Sequence, residues 1–275
     1  MTETEFGSSV PVQTLSDGNA IPTLALGVWQ VPEGRACEDA VKWALELGYR
    51  HIDTAQGYGN EASVGKALEA SGLPRHEVYV TTKFYPGHSD PAAELEASLD
   101  RLMLDYVDLY IVHWPQGGPT WAWPGMEQAQ SLGHTRSIGV SNFDTNELAQ
   151  VIEIAKSPPA VNQIQLSPFN SRPGLIEFGR SYGLVPEAYS PLGTGRHLQD
   201  PRIREIATRV GRTPSQVLIR WGLQQEFVVL AKAMHRDHLA ENIEALDFVL
   251  ADSDVAELDA FDQSAPGVAQ EHKWW

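Results

Sequence analysis

Apolar residues in this chain gather in short runs, separated by longer stretches in which apolar positions recur every three or four residues. The runs are LALGVW (24–29), YRHID (49–53), VYVTTK (78–83), VDLYIVH (107–113), RSIGVS (136–141), AVNQIQ (160–165), LVPEAYS (184–190) and FVVLA (227–231). Most are continuous rather than alternating, as expected of strands covered by helices. The stretches between them predict helices over 36–47, 60–70, 91–102, 124–132, 144–155, 174–182, 202–210 with 214–224, and 238–245. Asn60 stands at the N-cap position of the second helix, and Pro91 after Asp90 suits the first turn of the third. A last helix over 252–262 opens with DSDV and carries Val255, Leu258 and Phe261 on one face. Ahead of the first run, residues 11–22 (PVQTLSDGNAIP) read as a hairpin turning at Asp17-Gly18.

Eight strand–helix units in about 250 residues predict an α/β chain closed into a (β/α)8 TIM barrel, with an extra C-terminal helix. The rival is an open doubly wound sheet, which wants a G-x-G-x-x-G turn after its first strand. QVPEGR follows here instead, and GTGR at 193–196 is only a fragment of that fingerprint. No repeat, low-complexity tract or linker breaks residues 1–275, so a single domain is expected.

Composition narrows the partners. A net charge of −16 repels phosphate backbones and anionic membranes, so neither nucleic acid nor membrane is expected as a partner. Any anionic ligand needs a local basic site working against that field. Cys37 is the one cysteine, so no internal disulfide forms, and it reads as a small buried residue of the first helix. MTETEFGSSV lacks the basic and apolar regions of a signal peptide, and no apolar run reaches the length of a membrane span. A cytoplasmic monomer is the expectation.

In a barrel, chemistry sits where strands end and βα loops begin. The second run ends at Asp53, with Tyr58 five residues on; the third ends at Lys83 and the fourth at His113. Ser141-Asn142, Asn162-Gln163, Tyr189-Ser190 and Lys232 continue the ring of polar strand ends. Taken singly, each has a plain structural reading: Asp53 as a helix cap, Lys83 as a solvated strand end, His113 as a satisfied core histidine. Together, four titratable groups of complementary type lie at three successive strand ends. A phenol with a pKa of about 10 is a poor proton donor near neutrality. A buried Lys83 ammonium beside Tyr58 is expected to lower that value, with Asp53 as its counter-charge and His113 orienting a substrate oxygen. The assembly is then a proton donor facing one carbonyl oxygen.

YRHIDTAQGYGNE (49–61), VTTKF (80–84), VDLYIVHWP (107–115), RSIGVSNF (136–143), AVNQIQLSP (160–168), EAYSPLG (187–193) and the segment from Ala231 to Asn242 resemble the aldo-keto reductases, in family order along nearly the whole chain. SDGNAIPTLALGVWQ also resembles that family's N-terminal β-hairpin plug, and the compact length its bacterial branch of diketogluconate and small aldehyde reductases. The resemblance implies a barrel that binds a nicotinamide cofactor without a Rossmann fold. It implies a catalytic tetrad of Tyr58, Asp53, Lys83 and His113, with a small carbonyl compound as substrate. It further implies that Ser141, Asn142 and Gln163 hold the carboxamide and that Tyr189 stacks on the nicotinamide ring. Ser190, Leu192 and Gly193 run along the pyrophosphate, and Glu241 and Asn242 reach the adenine.

One segment departs from the family pattern. The stretch that grips an adenosine 2′-phosphate commonly reads P-K-S followed by arginines. Here it reads Ala231-Lys232-Ala233-Met234-His235-Arg236-Asp237-His238. Lys232 is kept, the serine hydroxyl is lost at Ala233, and histidines replace arginines that bind phosphate bidentately. NADPH held through Lys232 and Arg236 is therefore expected, with a weaker preference over NADH, and Ala233, Met234 and His238 belong to the same contact segment. Trp29, Tyr85, Trp114 and Trp121 are the expected aromatic walls of the substrate pocket, left open by the short QGGPTWAWPG loop; Trp123 is expected to pack on the barrel, and Trp274 and Trp275 end the chain as a free tail. Two other functions fit a barrel with a lysine at a strand end: a Schiff-base lyase working through Lys83 or Lys232, and a nicotinamide-binding regulatory subunit without turnover.

Overall fold

The computed structural model describes Phe6, residues 10–87 and residues 90–264; Trp274 and Trp275 lie outside them. Two short strands, β1 (Val12–Thr14) and β2 (Ala20–Pro22), pair antiparallel across the Asp17-Gly18 turn. Gly18 takes a φ of 89°, the left-handed conformation that glycine accepts without cost, and Leu15 and Asn19 close the loop by a backbone hydrogen bond of 2.8 Å.

The eight apolar runs become eight parallel strands: β3 (Leu24–Gly27), β4 (His51–Asp53), β5 (Tyr79–Phe84), β6 (Val107–Val112), β7 (Thr135–Ser141), β8 (Val161–Gln165), β9 (Val185–Tyr189) and β10 (Val228–Ala231). They pair in sequence order, and β10 pairs back onto β3, closing the barrel. Closure leaves the barrel sheet without an edge, which is why strands of three to seven residues suffice.

The helices follow in order: α1 (Arg35–Glu46), α2 (Glu61–Ser71), α3 (Pro91–Leu102), α4 (Trp123–Ser131), α5 (Thr145–Ile154), α6 (Pro173–Ser181), α7 (Pro201–Val210), α8 (Pro214–Gln224), α9 (Arg236–Ile243) and α10 (Asp252–Asp259). Local chemistry starts several of them. Asp90 accepts from the amides of Ala92 and Ala93 ahead of Pro91 in α3, and Asp144 with Glu147 forms a capping box on α5. Each such cap is worth about 1 kcal/mol. Asn60 corrects the expectation from sequence: it occupies the N-cap position of α2 but makes no capping bond. Its amide instead donates to the carbonyls of Val28 and Val31, at 2.9 and 3.0 Å, and its oxygen accepts from Thr54.

Side chains alternate across each strand, so parity divides the core in two. One set, including Leu26, Ile52, Val80 and Tyr110, packs outward under the helices. The other, including Tyr79, Leu109, Ile111, Val161 and Leu230, fills the barrel, where Leu15 and Ile21 of the hairpin join it. Asn19 reaches Ser137 at the start of β7, so the hairpin plugs the N-terminal end of the barrel. The inward set continues upward into polar residues at the C-terminal rim: Asp53, Lys83, His113, Ser141, Gln163 and Tyr189. Polar groups there are aimed at one another because the hydrophobic alternation beneath them fixes the register.

Candidate active site

Lys83 is fully buried at the end of β5. Its ammonium donates to Asp53 Oδ1 at 2.5 Å and to the carbonyl of Thr54 at 2.7 Å. Neither residue takes the plain structural reading open to it from sequence: Asp53 caps no helix, and Lys83 is not solvated. Tyr58 sits on a single 3-10 turn, Gln56–Tyr58, which leads out of β4 and closes at Gly59 with a φ of 67°. Two side chains fix that turn. Asn60 ties Thr54 to the β3 loop, and Gln56 accepts from the Tyr85 amide at 3.1 Å while donating to Glu94. The Tyr58 ring thereby lies with its centroid 4.8 Å from Lys83 Nζ. His113 meets Tyr58 edge-on at 5.6 Å and stacks on Trp114 at 5.9 Å.

Burial dominates the electrostatics. It pushes the Lys83 ammonium toward losing its proton, but Asp53 and Tyr58 together outweigh it and Lys83 ends above its ordinary value, firmly charged. The Tyr58 phenol corrects the expected direction. Burial raises it, Lys83 lowers it, Asp53 partly cancels Lys83, and the net shift is upward. The phenol therefore holds its proton at neutral pH. The ammonium acts on the phenolate only when a proton leaves.

The remaining rim groups are wired to one another. Asn142, in the left-handed conformation at a φ of 65°, donates to the His113 carbonyl and to Ser141 Oγ, and accepts from the Tyr189 hydroxyl at 2.8 Å. Ser141 Oγ donates to the Gln163 carbonyl at 2.8 Å. Gln163 Nε2 donates to Asp53 Oδ2 at 2.9 Å and to Glu187 Oε2 at 3.1 Å.

These groups form the floor of a cavity of about 690 Å³ that runs from the barrel mouth across Tyr189 to α9. Of the residues singled out from sequence, Asp53, Tyr58, His113, Ser141, Asn142, Gln163, Tyr189, Ser190 and Leu192 line it, as do Trp29, Trp114, Lys232, His238, Glu241 and Asn242. Lys83 does not line it and lies beneath the floor, in contact with Asp53 and the Tyr58 ring. Gly193, Ala233, Met234, Arg236, Tyr85 and Trp121 do not line it. Gly193 takes a left-handed φ of 58° in the β9 loop, where a Cβ would fall 2.3 Å from the His197 ring. Ala233 is buried, Met234 packs on the core, and Arg236 opens α9 facing solvent. Tyr85 packs over Gly57 and edge-on against His113 at 6.4 Å, and Trp121 packs edge-on against Phe84 with its indole donating to Gln116. Trp123 packs on the barrel as the first residue of α4.

The cavity also takes in groups that sequence reasoning passed over: Gly27, Gln30, Gln165, Arg196 and Ser215. Gly27 and Gln165 share the inward parity of Trp29 and Gln163, a signal that was available in the strand pattern. Lys232 leans across the far side, donating to Gln30 Oε1 at 3.3 Å and standing 5.9 Å from the Trp29 ring centroid. The β9 loop beside it is held by His197, which stacks on Phe169 at 4.3 Å. An elongated trench with an aromatic face, amide groups at one end, and Lys232, Arg196 and Glu241 at the other fits a dinucleotide in size and donor chemistry.

Comparison with known proteins points to one family. The family model described as "Aldo/keto reductase family" matches residues 23–263. An aldo-keto reductase of Mycobacterium sp. (strain MCS) is 46% identical over 264 residues, covering 93% of this chain and 92% of its own. One from Mycolicibacterium smegmatis is 42% identical over 261 residues, covering 93% and 92%. Among solved structures, an aldo/keto reductase from Brucella melitensis superposes with a TM-score of 0.89 at 36% identity, covering 93% of this chain and 99% of its own. A Bombyx mori aldo-keto reductase in complex with NADP superposes with a TM-score of 0.84 at 32% identity, covering 94% and 95%.

Proposed function

The chain belongs to the aldo/keto reductase family, a family of oxidoreductases acting on small carbonyl compounds, and on that premise we propose that its one barrel domain reduces aldehydes or ketones to alcohols with NADPH. The observation that carries this reading is the buried Lys83–Asp53 pair set under the ring of Tyr58 at the floor of the trench. A bound reduced nicotinamide supplies the electron pair and hydrogen that the carbonyl carbon accepts.

The chain's own residues do the rest. Ser141, Gln163 and the face of Tyr189 position the nicotinamide end, and Lys232, Glu241 and Asn242 hold the adenosine end. His113 orients the carbonyl oxygen toward Tyr58. Tyr58 gives its hydroxyl proton to that oxygen as negative charge develops there, and the Lys83 ammonium stabilises the phenolate left behind. Asp53 keeps the ammonium charged and in place. Trp29 and Trp114 present apolar faces beside the reacting groups, which favours aromatic aldehydes, ketones and keto esters over highly hydrated sugars. For NADPH over NADH the support is Lys232 alone in the segment 231–238, since Arg236 and His235 are exposed and do not line the trench. The preference is accordingly modest. A Schiff base on Lys83 has no support: that amine is held charged by Asp53 and lies under the cavity floor.

The test is NADPH oxidation across a panel of aromatic aldehydes, keto esters and sugar ketones, with Tyr58→Phe alongside the parent. The variant is expected to bind NADPH unchanged and lose roughly 10²–10⁴ in kcat. A parent that binds NADPH and reduces nothing on the panel, or a variant as fast as the parent, overturns the reading.

A further inference from the structure

Glu187 has no part in the chemistry above, yet it is a second carboxyl beneath the cavity floor, bonded to the same Gln163 amide as Asp53. It lies on β9 with its side chain turned into the barrel, and it is fully buried. Gln163 Nε2 spends one hydrogen on Asp53 Oδ2 and the other on Glu187 Oε2, so two carboxyls share one amide. That leaves the Gln163 side-chain oxygen, Oε1, as its group for the cavity, which Gln163 lines. The second oxygen of Glu187, Oε1, is buried and has no hydrogen-bond partner among the described residues.

We propose that Glu187 is a positioning residue that clamps the Gln163 amide against Asp53 and, by taking up or releasing a proton at Oε1, sets the charge beneath the Tyr58–Lys83–Asp53 cluster. The proposal deepens the carbonyl-reducing reading and rests on it. The clamp fixes what Gln163 offers a ligand: an acceptor oxygen, suited to the N–H of a carboxamide. Were Glu187 absent, only Asp53 would hold the amide, and the side chain could turn.

The proton follows from the surroundings. Beside Glu187 the neighbouring strands place Gln163 on β8 and Val228 on β10, neither of which titrates. Across the interior stand Asp53 on β4, and Lys83 and Tyr79 on β5. Lys83 is committed to Asp53, and the Tyr79 hydroxyl, itself buried, is pushed up by burial and then by Glu187. A carboxylate with one amide donor and no cation of its own is costly to bury. Burial, then the Asp53 charge, accordingly raises the Glu187 carboxyl to about 8, against Gln163 and Lys83, which lower it. Near neutrality the site therefore carries one negative charge, on Asp53. Above that value Glu187 adds a second, which makes Tyr58 a weaker acid.

The experiment compares the parent with Glu187→Gln, whose amide oxygen still accepts from Gln163 but does not titrate, and with Glu187→Leu, which removes the clamp. Infrared spectra of the parent are expected to show the C=O stretch of a protonated carboxyl near pH 6 that disappears in a titration centred near pH 8 and is missing from Glu187→Gln. In the parent, kcat/KM for reduction is expected to fall up to roughly tenfold across that titration, the effect of about one unit on the donor's pKa; in Glu187→Gln that step is absent. Glu187→Leu is expected to raise the Kd for NADPH, read by tryptophan fluorescence, while Glu187→Gln keeps it. A parent without the carboxyl titration, a band that survives in Glu187→Gln, or pH profiles that superimpose overturns the inference. Should the variants not fold, the parent's infrared titration decides alone. If the parent reduces no carbonyl, the reading of function fails, while the spectra and the NADPH Kd still judge Glu187.

Discussion

At the scale of single residues, the buried charges are coupled to one another, and on the proposed function they bear on activity as well as stability. Lys83 and Asp53 are each out of water and satisfy each other at 2.5 Å, so removing one strands the other. Lys83→Met is expected to cost about 3–5 kcal/mol in urea unfolding, while adding Asp53→Asn recovers much of that loss and none of the activity. A Lys83→Met protein as stable as the parent would refute the coupling. Two further groups shape the pH profile of stability. His51, enclosed in the barrel between Pro22 and Thr81, is lowered by burial from 6.5 to about 3, and Glu187 is raised by burial from 4.5 to about 8. Between about pH 3 and 4.5 the unfolded chain binds the extra proton, on His51, so stability rises with pH. From 4.5 to 6.5 each state holds one proton on this pair of residues and their contributions cancel. From 6.5 to about 8 the folded chain holds the extra proton, on Glu187, so stability falls. Each limb is worth about 2 kcal/mol. Unfolding measured across pH should show a plateau between two slopes, and Glu187→Gln should remove the alkaline slope and extend the acid slope through the plateau to about pH 6.5.

At the scale of elements, two glycines separate packing from binding. Gly139 on β7 turns into the barrel, where an added Cβ would lie 2.6 Å from Val161 Cγ2 and 3.1 Å from Ile111 Cγ2. Gly139→Ala should cost about 1–3 kcal/mol by overpacking and leave the NADPH Kd alone. Gly27 on β3 has room, its nearest neighbour being Leu230 Cβ at 3.9 Å, but it lines the trench. Gly27→Ala should therefore keep the melting temperature and weaken dinucleotide binding; the opposite pattern would misplace the trench. The strands themselves were legible in sequence because burial on both faces makes each a continuous apolar run, and every observed strand lies within about one residue of its run. Tyr58, Asp53, Lys83 and His113 were legible as a set because titratable groups at successive strand ends are rare. Tertiary use of polar side chains was not legible. Asn60 looked like a cap because capping is local, whereas its bonds to Val28 and Val31 span about thirty residues of sequence. Glu187 was hidden inside an apolar run, although positions 185, 187 and 189 share one face and Tyr189 had already marked that face as inward. Tyr85 was placed by nearness to a strand end and Trp121 by its loop; Tyr85 packs on Gly57 and edge-on against His113, and Trp121 on Phe84, so neither lines the cavity.

At the scale of the whole molecule, a chain of net charge −16 has to capture a polyanionic dinucleotide. Two fields compete, and they differ in range. The overall charge repels at long distance; Lys232 and Arg196 attract only close to the trench they line. Screening length decides between them, being about 30 Å at 0.01 M salt and about 10 Å at 0.1 M. At the lower concentration the ligand meets the repulsion of the entire surface before it reaches the lysine. At the higher one that repulsion fades within a fraction of the molecule's width, and the local cations act unopposed. The association rate constant for NADPH, measured by stopped-flow fluorescence, is therefore expected to rise with salt over this range and to fall beyond it, as the contact at Lys232 is itself screened. Steering by a basic surface gives the opposite, a fall from the lowest salt onward, and that result would sink the argument. Lys232→Ala should keep the rise and lose the later fall. NADH, with less negative charge than NADPH, should show a shallower rise and little dependence on Lys232, so that the ratio of the two association rates shifts toward NADPH over the rise and back toward NADH over the later fall.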